Sequence, residues 1–286
     1  MNVYKQLADH IDSLHKNPYC KPHDENSAFV KIFRRLLTVE EARAALLLGA
    51  DAITVDAFAK KAGIESKMAE KLLFNLAQKG VAFVDNNGGE NIYSLLPFCP
   101  GIIESLFSKY LDEEISRYLQ EYVDELNGFI YGGEQTIEMN TPVEATIYHS
   151  SFEEAMYYLQ NGSVFSLCDC LCRTAKEKLG QACGHTIKDV CIRVGPLSKY
   201  YVRTGRAHYV NFEEAARVLE RSRDEGLYFE ISRAMGGEDS YFICSCCPCC
   251  CIAMRTVLPG SMRREAPPSK YLAQVDEALC IGCGKC

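Results

Sequence analysis

The 286-residue chain has no long apolar run: its longest aliphatic stretch, Ala44 to Ala50, stops at Asp51. That is far short of the roughly 20 apolar residues a membrane helix needs, so no helical membrane span is expected. The first residues, Met1-Asn2-Val3-Tyr4-Lys5, do not lead from a positive segment into an unbroken apolar one. No export signal is expected, and the cytoplasm is the expected compartment. There is no phosphate-binding loop, and Gly205-Arg206 or Gly236-Gly237 is too little to imply a nucleotide site. Ser, His and Asp residues form no nucleophilic or hydrolytic constellation, so a stand-alone enzyme is not indicated. Cysteine is nearly missing from the first half, which holds only Cys20 and Cys99.

What is present is a 48% apolar chain, long enough for one large domain or two ordinary ones. Disorder, coiled coil and collagen are excluded. Fourteen of the sixteen cysteines fall between Cys168 and Cys286. In a small secreted protein such density would suggest disulfides, but a long chain with neighbouring cysteines and no export signal suggests metal or cluster binding. Charge divides along the same line. Residues 1–100 are neutral, residues 101–160 carry a net charge of -10, and residues 161–286 carry +3. A cubane held by four thiolates is a net anion, so surplus Arg and Lys in the cysteine-rich part suits it.

The first hundred residues read as helices followed by a small helix-turn-helix and hairpin. Helical spacing covers Val3–Leu14, Ala28–Leu37 and Val39–Leu48; Thr54 caps a further helix that Gly63 ends, and Ser66 starts another that closes at Lys79-Gly80. Val81–Val84, the turn Asn86-Asn87-Gly88-Gly89 and Ile92–Leu95 supply the wing. Its recognition helix carries Lys67, Lys71 and Lys79 against Glu70, too few clustered cations for a strong DNA footprint. A structural or protein-docking role is the expectation. From Gly101 to about Gly132 one or two amphipathic helices are predicted, and the acid run Asp112-Glu113-Glu114 is a candidate docking face for a basic partner. An extended stretch around Ile137–Tyr148 follows. Ser151 heads a helix to Gln160, Asn211 caps another that runs to Gly226, and Leu227–Ile231 and Tyr241–Cys244 read as strands. Pro267-Pro268 marks a linker to a different module.

Three cysteine groups carry the chemistry. Cys280-x2-Cys283-x2-Cys286 has the spacing with which bacterial ferredoxins hold three irons of a 4Fe-4S cubane, and Gly282 and Gly284 allow the tight turn. The motif stops at Cys286, which suggests a natural protein that continues beyond it. The run Cys244, Cys246, Cys247, Cys249, Cys250 and Cys251 is too dense for ordinary zinc pairs. If extended, it would turn Cys244, Cys246 and Cys250 one way and Cys247, Cys249 and Cys251 the other, serving one cluster on each face. A metallothionein-like zinc store is the competing reading. Cys168, Cys170, Cys172, Cys183 and Cys191 supply further ligands, and Arg173 is placed to balance thiolate charge. His185 is read as a bystander, and Cys20 and Cys99 as packed or inert thiols.

On Leu96-Pro97-Phe98-Cys99-Pro100-Gly101-Ile102-Ile103-Glu104, Cys170-Leu171-Cys172-Arg173, Cys183, Cys191, Ile243-Cys244-Ser245-Cys246-Cys247-Pro248-Cys249-Cys250-Cys251 and the motif from Cys280, the chain resembles 4Fe-4S ferredoxin-type proteins of anaerobes with an N-terminal winged helix. It departs from them in the extra Cys168 and in Ser245, where Asn is more usual. The resemblance implies several clusters, at least two of them 4Fe-4S, and electron transfer. The expected fold class is α+β, in four parts. Residues 1–100 form a helical and winged-helix domain, 101–160 an acidic helical connector, 161–266 a cysteine-rich iron–sulfur domain, and 267–286 a linker with the start of a ferredoxin-type module. The expected function is relay of single electrons between redox partner proteins, with a redox-sensing transcription regulator or a reductase subunit as alternatives.

Overall fold

In the computed structural model, residues 2–15, 23–106, 109–132, 147–233, 235–255 and 274–283 are described. The N-terminal helices α1 (Val3–His15), α2 (Ala28–Leu36) and α3 (Val39–Ala45) are followed by a two-residue strand β1 (Ile53–Thr54) and helices α4 (Val55–Ala62) and α5 (Ser66–Gln78). Thr54 caps α4 by accepting from the Ala57 amide at 3.3 Å, and Gly63 closes it with a φ of 67°. The hairpin strands β2 (Ala82–Asn87) and β3 (Glu90–Leu95) pair antiparallel, and β1 adds to the outer side of β3. Gly88 and Gly89 both have positive φ, as a two-residue turn between right-twisted strands requires.

A single turn at Phe98–Ile102 and the short α6 (Ile103–Ser105) lead to the long α7 (Glu113–Gly132). The acid run at the start of α7 meets basic residues of the same chain: Arg35 pairs with Asp112 and Glu114, and Lys31 pairs with Glu121. Asp112 also accepts from the Ile115 amide at 2.8 Å. Part of the acid of this segment therefore holds α7 against α2. The extended stretch expected around Ile137–Tyr148 lies mostly outside the described residues, as do Cys20, Cys286 and Pro267-Pro268.

The second half is a six-stranded antiparallel sheet in the order β4-β8-β9-β6-β5-β7. Its elements in chain order are β4 (Ile147–Ser150), α8 (Phe152–Gln160), β5 (Phe165–Cys168), α9 (Leu171–Lys178), β6 (Cys191–Val194), α10 (Pro196–Arg203), β7 (His208–Val210), α11 (Phe212–Asp224), β8 (Tyr228–Arg233), β9 (Tyr241–Cys246) and the single turn α12 (Ile252–Arg255). Ser151 and Asn211 each cap their helix in a reciprocal box with Glu154 and Glu214. The mixture of helices and an antiparallel sheet is α+β.

Strand alternation gives this sheet two chemically different faces. Phe165 and Leu167 of β5, Ile192 and Val194 of β6, Phe229 and Ile231 of β8, and Tyr241 and Ile243 of β9 turn one way and pack with Ala155, Leu159, Ala215 and Leu219 of α8 and α11. The intervening residues Cys168, Cys191, Arg193, Glu230, Cys244 and Cys246 turn the other way. Cys168 and Cys191 are direct cross-strand partners, as are Glu230 and Cys244. This second face meets the N-terminal half, whose apolar cluster continues from Leu7 and Phe29 through Leu76 and Phe83 to Tyr200, Tyr201, Cys168, Cys170 and Cys191. Arg206 strengthens the seam. It is 5% exposed, and its guanidinium donates to Ser105 O, Ala77 O and Gln78 O at 2.7, 3.0 and 2.7 Å, satisfying carbonyls at the end of α5.

Candidate metal centres

Eleven cysteines from Cys168 to Cys251 converge where the thiol face of the sheet meets α9 and the turn after β9, and all eleven are free thiols. The sulfurs of Cys183, Cys247, Cys249 and Cys250 lie within 4.8 Å of one another, with Cys183 and Cys247 at 3.9 Å. Four thiolates at about 2.3 Å from one tetrahedral ion stand about 3.8 Å apart, so this group is already close to a ligand shell. Three of the four come from one turn. Cys247 follows the last strand residue, Pro248 bends the chain, and the Cys251 amide donates to Cys247 O at 3.0 Å.

That turn corrects the alternating ribbon expected from sequence. Alternation holds for Cys244 and Cys246, which share the sheet's thiol face, but it ends at Pro248. Cys250 thereby joins Cys247 and Cys249 beside Cys183, while Cys251 returns to the side of Cys246. The physical reason is that a proline-led turn replaces the two-residue period of a strand with a tighter curl.

The other thiols gather around Cys191 and Cys251. Cys168 faces Cys191 across paired strands and donates to its carbonyl oxygen at 3.6 Å; with Cys170 and Cys244 it holds the Cys191 thiol well below the ordinary range. The Cys251 sulfur is in contact with those of Cys172 and Cys246, and its thiol is brought down to about 5 by them. Cys183 behaves alike in its own group. Burial pushes its thiol up, but a backbone hydrogen bond from His185 and the thiols of Cys250, Cys249 and Cys247 outweigh that and lower it. In each gathering the thiol whose titration is lowered is the readiest to become thiolate, the form that binds metal. Cys170–Cys172 and Cys244–Cys246 contacts join the Cys191 and Cys251 gatherings.

Two buried arginines stand against these sulfurs. Arg173 is 1% exposed; its Nε donates to Cys247 Sγ at 3.5 Å, while Nη1 and Nη2 donate to Thr186 O and Ser245 O at 2.6 and 2.7 Å. Burial opposes its charge, but Cys247, Cys170 and Cys191 outweigh that and keep it protonated. Arg193, which sequence reasoning did not single out, is 3% exposed and sandwiched between the rings of Tyr201 and Phe242, 4.6 and 5.0 Å from their centroids. Its Nε has no hydrogen-bond partner among the described residues; burial opposes its charge, but Cys168, Tyr201, Cys191 and Cys244 outweigh that.

Glu230 is a second residue that sequence reasoning missed. It is 5% exposed on the thiol face, and its Oε2 lies 3.4 Å from Cys246 Sγ and 3.9 Å from Cys251 Sγ. Only the alternation of β8, which turns Glu230 and Ser232 to one side, marks it in the sequence.

The remaining site residues lie apart. Cys280 and Cys283 are exposed and join no metal-ligating group among the described residues. His185 directs its ring to Glu225 at 3.6 Å, and the Cys99 thiol donates to Glu104 at 3.4 Å. No described helix is long and apolar enough to cross a membrane. The donors fit a thiophilic metal: soft thiolates select zinc, copper(I) or iron–sulfur centres over hard cations, and the cysteine groups near residues 183–251 can hold metal. No family model, curated protein or solved structure matches the chain, so the functional reading rests on this donor geometry.

Proposed function

We propose that the chain is a multi-cluster iron–sulfur protein that relays single electrons between redox partner proteins in the cytoplasm of an anaerobe. The observation that carries this reading is the set of Cys183, Cys247, Cys249 and Cys250, whose sulfurs lie within 4.8 Å of one another, beside a second gathering in which Cys191 faces Cys168 across paired strands and Cys170 and Cys244 adjoin it. A 4Fe-4S cluster needs one thiolate on each of four irons, so the first four sulfurs, now spaced for a single tetrahedral ion, would part on loading; once bound, the cluster supplies one-electron chemistry without a substrate pocket. Arg173 touches Cys247 of the first set, and its charge is supported by Cys170 and Cys191 of the second, so it serves both. Two adjacent redox centres sharing a counter-charge suit a relay, whereas zinc carries no redox chemistry.

In this reading α4, α5 and the β2–β3 hairpin form a winged helix that braces the cluster region. Cys280, Cys283 and Cys286 begin a ferredoxin-type module that passes electrons to or from it. The chain is an electron carrier or an oxidoreductase subunit rather than a stand-alone enzyme.

The test is anaerobic purification followed by iron and sulfide counts, absorption and EPR spectra. A brown protein with about four irons and four sulfides per cubane, and at least two cubanes, is expected. A colourless protein holding stoichiometric zinc overturns the reading.

A further inference from the structure

After the two four-thiol sets are filled, Cys172, Cys246 and Cys251 remain of the eleven clustered cysteines. Cys246 and Cys251 stand with Glu230 in one group whose ligand atoms lie within 4.8 Å of one another, and Cys172 neighbours Cys251. We infer that Glu230 is a metal ligand, and that its carboxylate completes with Cys172, Cys246 and Cys251 a third four-donor centre. This inference rests on the metal-binding reading above and adds to it a centre of mixed sulfur and oxygen ligation.

Three observations carry it. The Oε2 atom of Glu230 and the sulfurs of Cys246 and Cys251 all lie within 4.8 Å of one another, and each of the three residues is more than nine-tenths buried. The strand register fixes this rather than a flexible side chain: β8 pairs with β9 so that Glu230 stands opposite Cys244, on the face that carries Cys246. Finally, a carboxylate and two thiols lose their hydration when buried and repel one another once ionised. A metal cation among them turns that repulsion into bonding and releases the thiol protons, because thiolate and carboxylate are the binding forms.

The carboxylate has a specific chemical consequence. Oxygen is a harder donor than thiolate sulfur, so the metal that faces Glu230 differs from the all-thiolate metals elsewhere in the basin. It is the position where ligand exchange is easiest, and a small soft donor such as cyanide is expected to compete there first. Changing the ligands on one iron of a cluster also changes its potential, as replacement of cysteine by histidine does in two-iron centres.

The experiment uses the full chain reconstituted anaerobically with ⁵⁷Fe and sulfide. In the wild-type Mössbauer spectrum a minority iron subsite with the larger isomer shift of oxygen ligation is expected, and a spectrum of all-thiolate iron alone overturns the inference. Glu230→Gln keeps the shape but removes the anionic donor. It is expected to lose iron equivalent to about one centre while retaining the others, and Glu230→Cys is expected to restore iron and remove the distinct subsite. Wild-type iron and an unchanged spectrum in Glu230→Gln overturn the assignment. Should the wild type hold zinc instead, the iron–sulfur reading fails, but the ligand assignment is decided by zinc content. Loss of one zinc in Glu230→Gln supports it and equal zinc overturns it.

Discussion

Arg193 and Cys191 stand two residues apart on β6 and face the same side of the sheet, so a guanidinium only 3% exposed shares a dry compartment with the thiolate around which Cys168, Cys170 and Cys244 gather. The aromatic rings of Tyr201 and Phe242 cover the cation on two sides, and its Nη1 donates to Ile192 O at 3.4 Å. Burying a charge costs several kcal/mol unless an opposite charge compensates it. Cys191, whose thiol is held low, is the neighbour able to supply that opposite charge, and in the proposed metal-loaded state the whole set would supply it.

Removing this cation is therefore expected to disfavour the more negative, reduced state of the centre. In Arg193→Gln the midpoint potential of the centre around Cys191 is expected to fall by on the order of tens of millivolts, while Arg193→Lys shifts it less. Potentiometric EPR checks both. A Gln variant with the wild-type potential would show that Arg193 serves packing alone.

The cysteines divide into ligands and bystanders, and the division is testable with one type of change. Replacing Cys172, Cys191, Cys246 or Cys249 by Ser is expected to lower iron content by about one centre and to destabilise the second half, because metal binding and folding are linked. Replacing Cys99 by Ser is expected to leave iron unchanged: its thiol donates to Glu104 and joins no metal-ligating group among the described residues. Cys20→Ser, outside the described residues, is expected to behave as Cys99→Ser. Iron analysis of the six proteins is internally controlled, since each change removes one sulfur. Equal iron in all six would mean that the clustered cysteines are not ligands.

The parts of the fold legible in the sequence are those fixed by local chemistry. Thr54, Ser151 and Asn211 cap the helices they precede, and Gly63 ends α4, because the orphan amides and carbonyls of a helix end need partners close in sequence. The Gly88-Gly89 turn is fixed by its backbone angles. Strands β5 and β6 were not legible, although Phe165-Ser166-Leu167-Cys168 and Cys191-Ile192-Arg193-Val194 alternate strictly. Their inward residues are cysteine, serine and arginine, which read as polar or metal-binding loop until the second face of the sheet is known to be a thiol basin. Glu230 and Arg193 were illegible for the same reason, since a single charged residue acquires meaning only from the strand opposite it. The exchange of Cys250 and Cys251 shows where extrapolation fails, because a two-residue period cannot be carried through Pro248.

The last prediction concerns α5, the helix that a DNA-binding winged unit would place in the major groove. Its two lysines, Lys67 and Lys71, are exposed, but Lys79 at the C-cap is engaged within the chain: its Nζ donates to Glu41 Oε2 at 2.7 Å and to Leu36 O at 2.9 Å. The C-terminal carbonyls of α5 are held by Arg206, and the Tyr200 hydroxyl donates to Ala77 O at 3.2 Å. The helix is thereby anchored to the cysteine-rich half, and two free lysines give a small electrostatic footprint. Nonspecific duplex binding scales with the number of phosphates neutralised, so affinity for random DNA at physiological salt is expected to be weaker than about 10⁻⁶ M, with a shallow salt slope near that of two contacts. Fluorescence anisotropy across a salt series measures both quantities. Submicromolar binding with a steep slope would make the unit a DNA-binding element and the metal centres its switch.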